Sequence, residues 1–242
     1  MRRAATALGP KPGARWGVAI PGPFDYATGI GRFRGVDKFD SLNGFSLGDE
    51  LVREFDAADV VFLNDAHAFG IGEWLAGTAR GHNRVLVLTL GTGIGSCFLD
   101  AGRPITDGTD VPPEGRADLL MINGAPLEET VSRRAILARA AEPGVDVKDL
   151  AGRARAGDLA MRALFTDVFV TLGRTMAPWV LRFGASLVVV GGAIAASWEL
   201  VADPLREGLA GGRAKPEVLQ ASSAYSGLVG AGWWAYTLTA LR

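Results

Sequence analysis

Val85-Leu86-Val87-Leu88-Thr89-Leu90-Gly91-Thr92-Gly93-Ile94-Gly95 is an apolar run that breaks on three glycines, after which Ser96-Cys97-Phe98-Leu99 resumes it before Ala101-Gly102. Residues apolar at consecutive rather than alternate positions read as a strand covered on both faces, and the resumption reads as the return strand of a hairpin. Three further runs have the same character, and each stops on a turn signal: 16–20 before Pro21-Gly22-Pro23, 60–63 before Asn64-Asp65, and 187–190 before Gly191-Gly192. Between them the apolar spacing predicts helices over 47–55, 66–79, 127–141, 159–183, 196–209 and 227–241. Strands alternating with helices make an α/β protein with largely parallel sheets. The stretch 107–123, with Pro112-Pro113 and weak periodicity, reads as a loop.

Composition narrows the function from the other side. A chain of 242 residues can bury a core without staples, and its single cysteine, Cys97, has no partner for a disulfide. That usage fits a reducing cytoplasm. No apolar run reaches the length of a membrane span, and residues 1–11 lack the apolar core of a signal peptide, so no membrane partner is expected. Twenty-five basic residues against 26 acidic ones leave a net charge of −1. With no basic stripe interleaved with aromatics, nucleic acid is not an expected partner. Arg133, Arg134, Arg139, Arg153 and Arg155 read as solvated helix faces, and His67 and His82 as helix-surface and loop residues rather than metal ligands.

Ligands of open α/β sheets bind beyond the carboxyl ends of strands, so polar residues and glycines directly after a strand are the candidates. Asn64-Asp65 follows the second run. Asp65 is either the N-cap of the next helix or a general base, while Asn64 offers both donor and acceptors to a hydroxyl-bearing ligand. Gly91-Thr92-Gly93 has neither the Lys-Ser/Thr of a P-loop nor the spacing of a dinucleotide fingerprint. It is either a tight hairpin turn or a turn whose amides and Thr92 hydroxyl face phosphate oxygens. Gly191-Gly192 is either an ordinary strand-to-helix loop or a turn that admits a nucleoside.

Pro21-Gly22-Pro23-Phe24-Asp25 lies upstream of these places, and Leu127-Glu128-Glu129-Thr130-Val131-Ser132 lies between the last two. Taken in order, from about Trp16 to the C-terminus, the set resembles the ROK family of repressors and sugar kinases. The resemblance implies an actin-like ATPase (ribonuclease H-like) fold of two α/β domains, with donor and sugar in the cleft between them. It implies an ATP-dependent, glucokinase-like sugar kinase, with Mg²⁺ bridging the donor phosphates and polyphosphate as an alternative donor. Asp65 matches the family's catalytic base. Gly22, Asn64, Glu128 and Glu114 match the sugar side. Gly91, Thr92 and Gly93 match a phosphate-binding turn, and Gly191 and Gly192 the adenosine side.

The family's opening Asp-x-Gly-Gly-Thr motif has no counterpart before Trp16, so the resemblance implies a chain shortened at its N-terminus. Residues 1–66 are then the remainder of the small domain, joined by the helix at 227–242, and 67–226 the large domain. The family's structural zinc is not expected, because the cysteine cluster that holds it is missing. Glu114-Gly115-Arg116 stands where the family's kinases carry Glu-x-Gly-His. Trp233 and Trp234 read as packing of the last helix or as the contact of a homodimer. The competing readings are a non-catalytic sugar-binding regulator and an inactive shortened kinase.

Overall fold

The computed structural model describes residues 12–35 and 37–240. Residues 1–11, where the sequence lacks a signal-peptide core, lie outside the described residues, as do 241 and 242. The elements run β1 (Arg15–Ile20), β2 (Phe24–Asp25), β3 (Ile30–Gly31), α1 (Leu47–Phe55), β4 (Asp59–Asn64) and α2 (Asp65–Ala76). The hairpin strands β5 (Arg84–Leu90), β6 (Ile94–Asp100) and β7 (Arg103–Ile105) follow, then the short pair β8 (Met121–Ile122) and β9 (Ala125–Pro126). The remainder is mostly helical: α3 (Glu128–Val131), α4 (Arg133–Ala140), α5 (Val147–Arg155), α6 (Leu159–Phe183), β10 (Leu187–Gly191), α7 (Trp198–Gly211), β11 (Glu217–Gln220) and α8 (Ser226–Ala240). Two compact units divide the chain, one formed by 1–72 with 225–242 and one by 73–224.

In the first unit β1 and β4 pair in parallel, with Ile20 opposite Asn64. Phe24 anchors a small aromatic core with Ile20, Phe33, Leu47, Leu51 and Phe62, its ring 5.0 Å from that of Phe62. The last helix lies so close to β1 that a Cβ on Gly17 would stand 1.8 Å from the Ala231 carbonyl oxygen. Of the β1 residues only Ile20 is fully buried, so 16–20 is a strand but not one covered on both faces.

The second unit is built on a five-stranded sheet in the order β11-β10-β5-β6-β7. β10 lies parallel to both β5 and β11, whereas β5, β6 and β7 form an antiparallel meander, so this sheet is mixed rather than largely parallel. Leu86, Leu88 and Leu90 from β5 and Val188 and Val190 from β10 are buried in one core with Phe165, Phe169 and Leu172 of α6. Asp158 caps the start of α6 and Gly184, at φ 69°, ends it.

Three differences from the sequence pattern have local causes. The helix expected over 127–141 is two helices, because Ser132 adopts an extended conformation and its hydroxyl caps the second through the Ala135 amide. α5 was not read from the pattern, and it begins on a capping box made by Asp146 and Asp149. β11 is too short to stand out, and its end residues, Glu217 and Gln220, are polar. The arginines read as solvated faces are exposed on their helices, where they form surface ion pairs, Arg153 with Glu142 and Asp158, and Arg155 with Glu199.

Packing of α6 on α7 depends on Gly208, where a Cβ would come within 2.2 Å of the Val170 carbonyl oxygen. Gly208→Ala gains about 1 kcal/mol of helix propensity. It should nonetheless destabilise the protein by about 2 kcal/mol, because the obstruction is backbone and cannot move aside. Gly152→Ala in α5, where nothing lies within 4 Å, should instead stabilise by roughly 0.5–1 kcal/mol. Thermal melts of the two variants check the opposite signs.

Candidate functional site

The carboxyl ends of β1 and β4 lie side by side in the first unit and bring Pro21-Gly22-Pro23 next to Asn64-Asp65. The Gly22–Pro23 bond is cis. Beyond it Asp25 organises the turn: one carboxylate oxygen accepts from the amides of Ala27 (3.2 Å) and Thr28 (3.1 Å), the other from Arg32 (2.6 Å). The Arg32 guanidinium, with the Thr28 amide, holds the Asp25 carboxyl down at about 2.

After β4 the two readings of Asn64-Asp65 separate. The Oδ1 of Asn64 accepts from the amides of Ala66 (2.9 Å) and His67 (3.3 Å), so Asn64 is the cap of α2. Asp65 follows it with an exposed side chain, and its Oδ1 lies 3.0 Å from the Ala66 amide. The Nδ2 of Asn64 donates to the Tyr26 hydroxyl at 3.2 Å, and that hydroxyl donates to the Ile20 carbonyl at 3.3 Å. Tyr26 is thus a residue of this site that sequence reasoning missed; no motif marks it. His67 is half-buried rather than on the helix surface, and burial lowers its pKa to about 4.

In the second unit the carboxyl ends of β5 and β10 are neighbours, with Gly191 opposite Thr89. Both glycine turns therefore sit at one end of the sheet. The Gly91 amide donates to the Gly93 carbonyl at 3.0 Å, and the Ile94 amide donates to the Glu128 carboxylate at 3.2 Å. The Thr92 and Gly93 amides are the turn's remaining donors, with the Thr92 side chain exposed. Glu128 touches the turn itself: a Cβ on Gly93 would lie 2.6 Å from its carboxylate. The Arg133 amide closes the junction on the Gly91 carbonyl at 2.9 Å. Gly192, at φ 90°, passes so close to β5 that a Cβ would meet the Leu90 carbonyl oxygen at 2.3 Å, which restricts this position to glycine.

Glu114 is exposed, at φ 57°, on a short 3₁₀ turn spanning Pro113–Gly115. The buried Ser96 ties that turn to β6: its hydroxyl donates to the Gly115 carbonyl (2.7 Å) and accepts from the Ala117 amide (2.9 Å). Arg116 forms a two-pronged pair with Asp118, at 3.2 and 2.6 Å. That pair, with Glu114 and Glu128 nearby, raises the arginine pKa above its ordinary value. Ser96 was legible only as a polar residue inside an apolar strand, while Gln220, whose amide holds the Ala195 carbonyl beyond Gly192 at 2.7 Å, carried no signal.

Among the described residues no three His, Cys, Asp or Glu side chains gather to hold a metal ion, and no helix is long and apolar enough to cross a membrane. Cys97 is buried, and burial raises its thiol pKa.

Because the folded pKa of His67 lies below its unfolded value, the unfolded chain binds the extra proton between pH 6.5 and about 4. Stability should fall as pH drops through that window, by at most about 3 kcal/mol. His67→Gln should flatten the fall, which denaturant titrations at pH 7 and 4.5 would measure.

The ROK family profile matches residues 12–115. The glucokinase of Thermotoga maritima is 33% identical over 219 residues, covering 79% of this chain and 67% of that protein. The crystal structure of a ROK hexokinase from Thermus thermophilus superposes with a TM-score of 0.78 at 27% identity, covering all of this chain and 84% of the other. A ROK glucokinase from Streptomyces griseus, solved with glucose and AMPPNP, superposes with a TM-score of 0.75 at 26% identity over 91% of this chain and 81% of that one. The folds of these kinases are actin-like, so the fold class expected from the resemblance is the one the chain adopts. By sequence and by fold, this chain belongs to the ROK family.

Proposed function

We propose that the protein is a sugar kinase, transferring the γ-phosphoryl group of ATP to a hexose hydroxyl with Asp65 as general base. The observation that carries the reading is the division of labour after β4. Asn64 caps the helix through the Ala66 and His67 amides, and the Asp65 carboxylate, whose Oδ1 also accepts from the Ala66 amide at 3.0 Å, stays exposed beside it. The relatives support the class: one is a glucokinase by name, and another was solved with glucose and an ATP analogue.

In this reaction the transition state is loose and highly charged, so the protein's work is alignment and charge stabilisation. Asp65 accepts the proton of the attacking hydroxyl as its oxygen bonds to the γ-phosphorus. The bond from that phosphorus to the bridging oxygen breaks, and ADP leaves with the electron pair. Gly22, Asn64, Glu114 and Glu128 provide sugar contacts; these reject analogues that lack a hydroxyl, because a buried polar group would lose its partner. The free amides of Thr92 and Gly93 and the Thr92 hydroxyl address the donor phosphates, and Gly191-Gly192 the nucleoside. Mg²⁺ bound with the donor would supply charge neutralisation there; inorganic polyphosphate presents the same phosphate chemistry to the turn. The exposed Leu228, Val229, Trp233 and Tyr236 on α8 suit the contact of a homodimer.

A coupled assay with hexoses and MgATP tests the proposal. Wild-type protein should turn over, and Asp65→Ala should lower kcat by about 10²–10⁴-fold while sugar binding persists in calorimetry. Undiminished turnover in the variant would remove the base, and wild-type sugar binding without turnover would make the protein a sensor instead.

A further inference from the structure

A side-chain amide has two donor hydrogens and one acceptor oxygen, and in Asn64 most of these have fixed partners. Its Oδ1 receives the Ala66 and His67 amides. Flipping the group would set its NH₂ against two N–H donors, so only one orientation is compatible with the start of α2. On the other side Nδ2 gives one hydrogen to the Tyr26 hydroxyl at 3.2 Å. That hydroxyl gives its own single hydrogen to the Ile20 carbonyl, so toward Asn64 it acts only as acceptor. The series therefore has one polarity from the helix amides to the β1 carbonyl. What remains for a ligand is the second Nδ2 hydrogen.

We infer that Tyr26 is a positioning residue that aims the Asn64 amide, which the helix amides leave as a donor-only contact, so that the acceptor site selects a sugar with an oxygen at one ring position and rejects an ammonium group there. The inference rests on the reading of Asn64 as a sugar ligand and extends it to a substrate class: hexoses bearing a neutral oxygen at that position. An ammonium would place donor against donor, with Asn64 unable to turn its oxygen round. Hydroxyl and ring oxygens both accept.

Tyr26→Phe is a suitable probe, because the ring that packs against Phe24, 5.6 Å away centre to centre, is retained. The variant should raise KM for the parent hexose by about fivefold, the typical worth of one neutral hydrogen bond, with kcat and KM for ATP unchanged. One monodeoxy hexose, lacking the oxygen that Asn64 addresses, should bind wild type and variant equally, and the amino sugar substituted at that same position should compete poorly. Asn64→Asp keeps a good helix cap but loses both donor hydrogens, so it should fold and yet raise the sugar KM by more than about tenfold. An unchanged hexose KM in Tyr26→Phe, or an equal loss for every deoxy sugar, would overturn the inference while Asp65-dependent turnover kept the kinase reading intact. Failure of the wild-type protein to bind or phosphorylate any hexose would overturn both.

Discussion

The first turn of α2 has amides with no carbonyl four residues back to receive them, and something at the end of β4 has to satisfy them. Asn64 does so through its side-chain oxygen. The remainder of this strand end follows from that bond. It fixes which face of the Asn64 amide looks outward, it brings Tyr26 and the turn after β1 into register with it, and it leaves the neighbouring carboxylate exposed. Had Asp65 been the cap, its charge would be stabilised by the helix terminus, and the same two residues would exchange their chemical roles.

In the second unit the ends of β5 and β10 are organised on the same principle. Paired parallel strands bring two glycine turns together, and each glycine is needed for a different physical reason. Gly192 has backbone where a side chain would be, whereas Gly93 has a carboxylate there. Glu128 lies against the Gly93-Ile94 turn, and Ser96 anchors the loop that carries Glu114 and Arg116. Glu128, the loop that carries Glu114 and the glycine turn are thus one connected structure.

Most of the architecture was legible because buried strands announce themselves as apolar runs and stop on glycine, proline or asparagine. The runs at 60–63 and 85–90 led directly to β4 and β5, and 159–183 was bounded by an aspartate and a glycine that act as its caps. What the pattern hid was decided by single side chains. Ser132 splits one periodic segment into two helices, and Asp146 starts a helix in a stretch with few large apolar residues. In the site, order along the chain pointed to Asn64, Asp65, Gly91 and Gly191, but not to which of Asn64 and Asp65 caps the helix. That choice depends on the direction of two adjacent side chains at one strand end, which spacing does not encode. Tyr26 and Gln220 act across sequence distance and left no trace in the pattern.

The central claim is the assignment of these two neighbours, Asn64 to the helix and Asp65 to the chemistry. A crystal structure of the protein with glucose and a non-hydrolysable ATP analogue tests it most directly. The account predicts an Asp65 carboxylate oxygen within about 3 Å of one sugar hydroxyl, with the Asn64 oxygen still on the Ala66 and His67 amides. The Asn64 oxygen turned to the sugar, leaving the Ala66 and His67 amides to Asp65 alone, would contradict it.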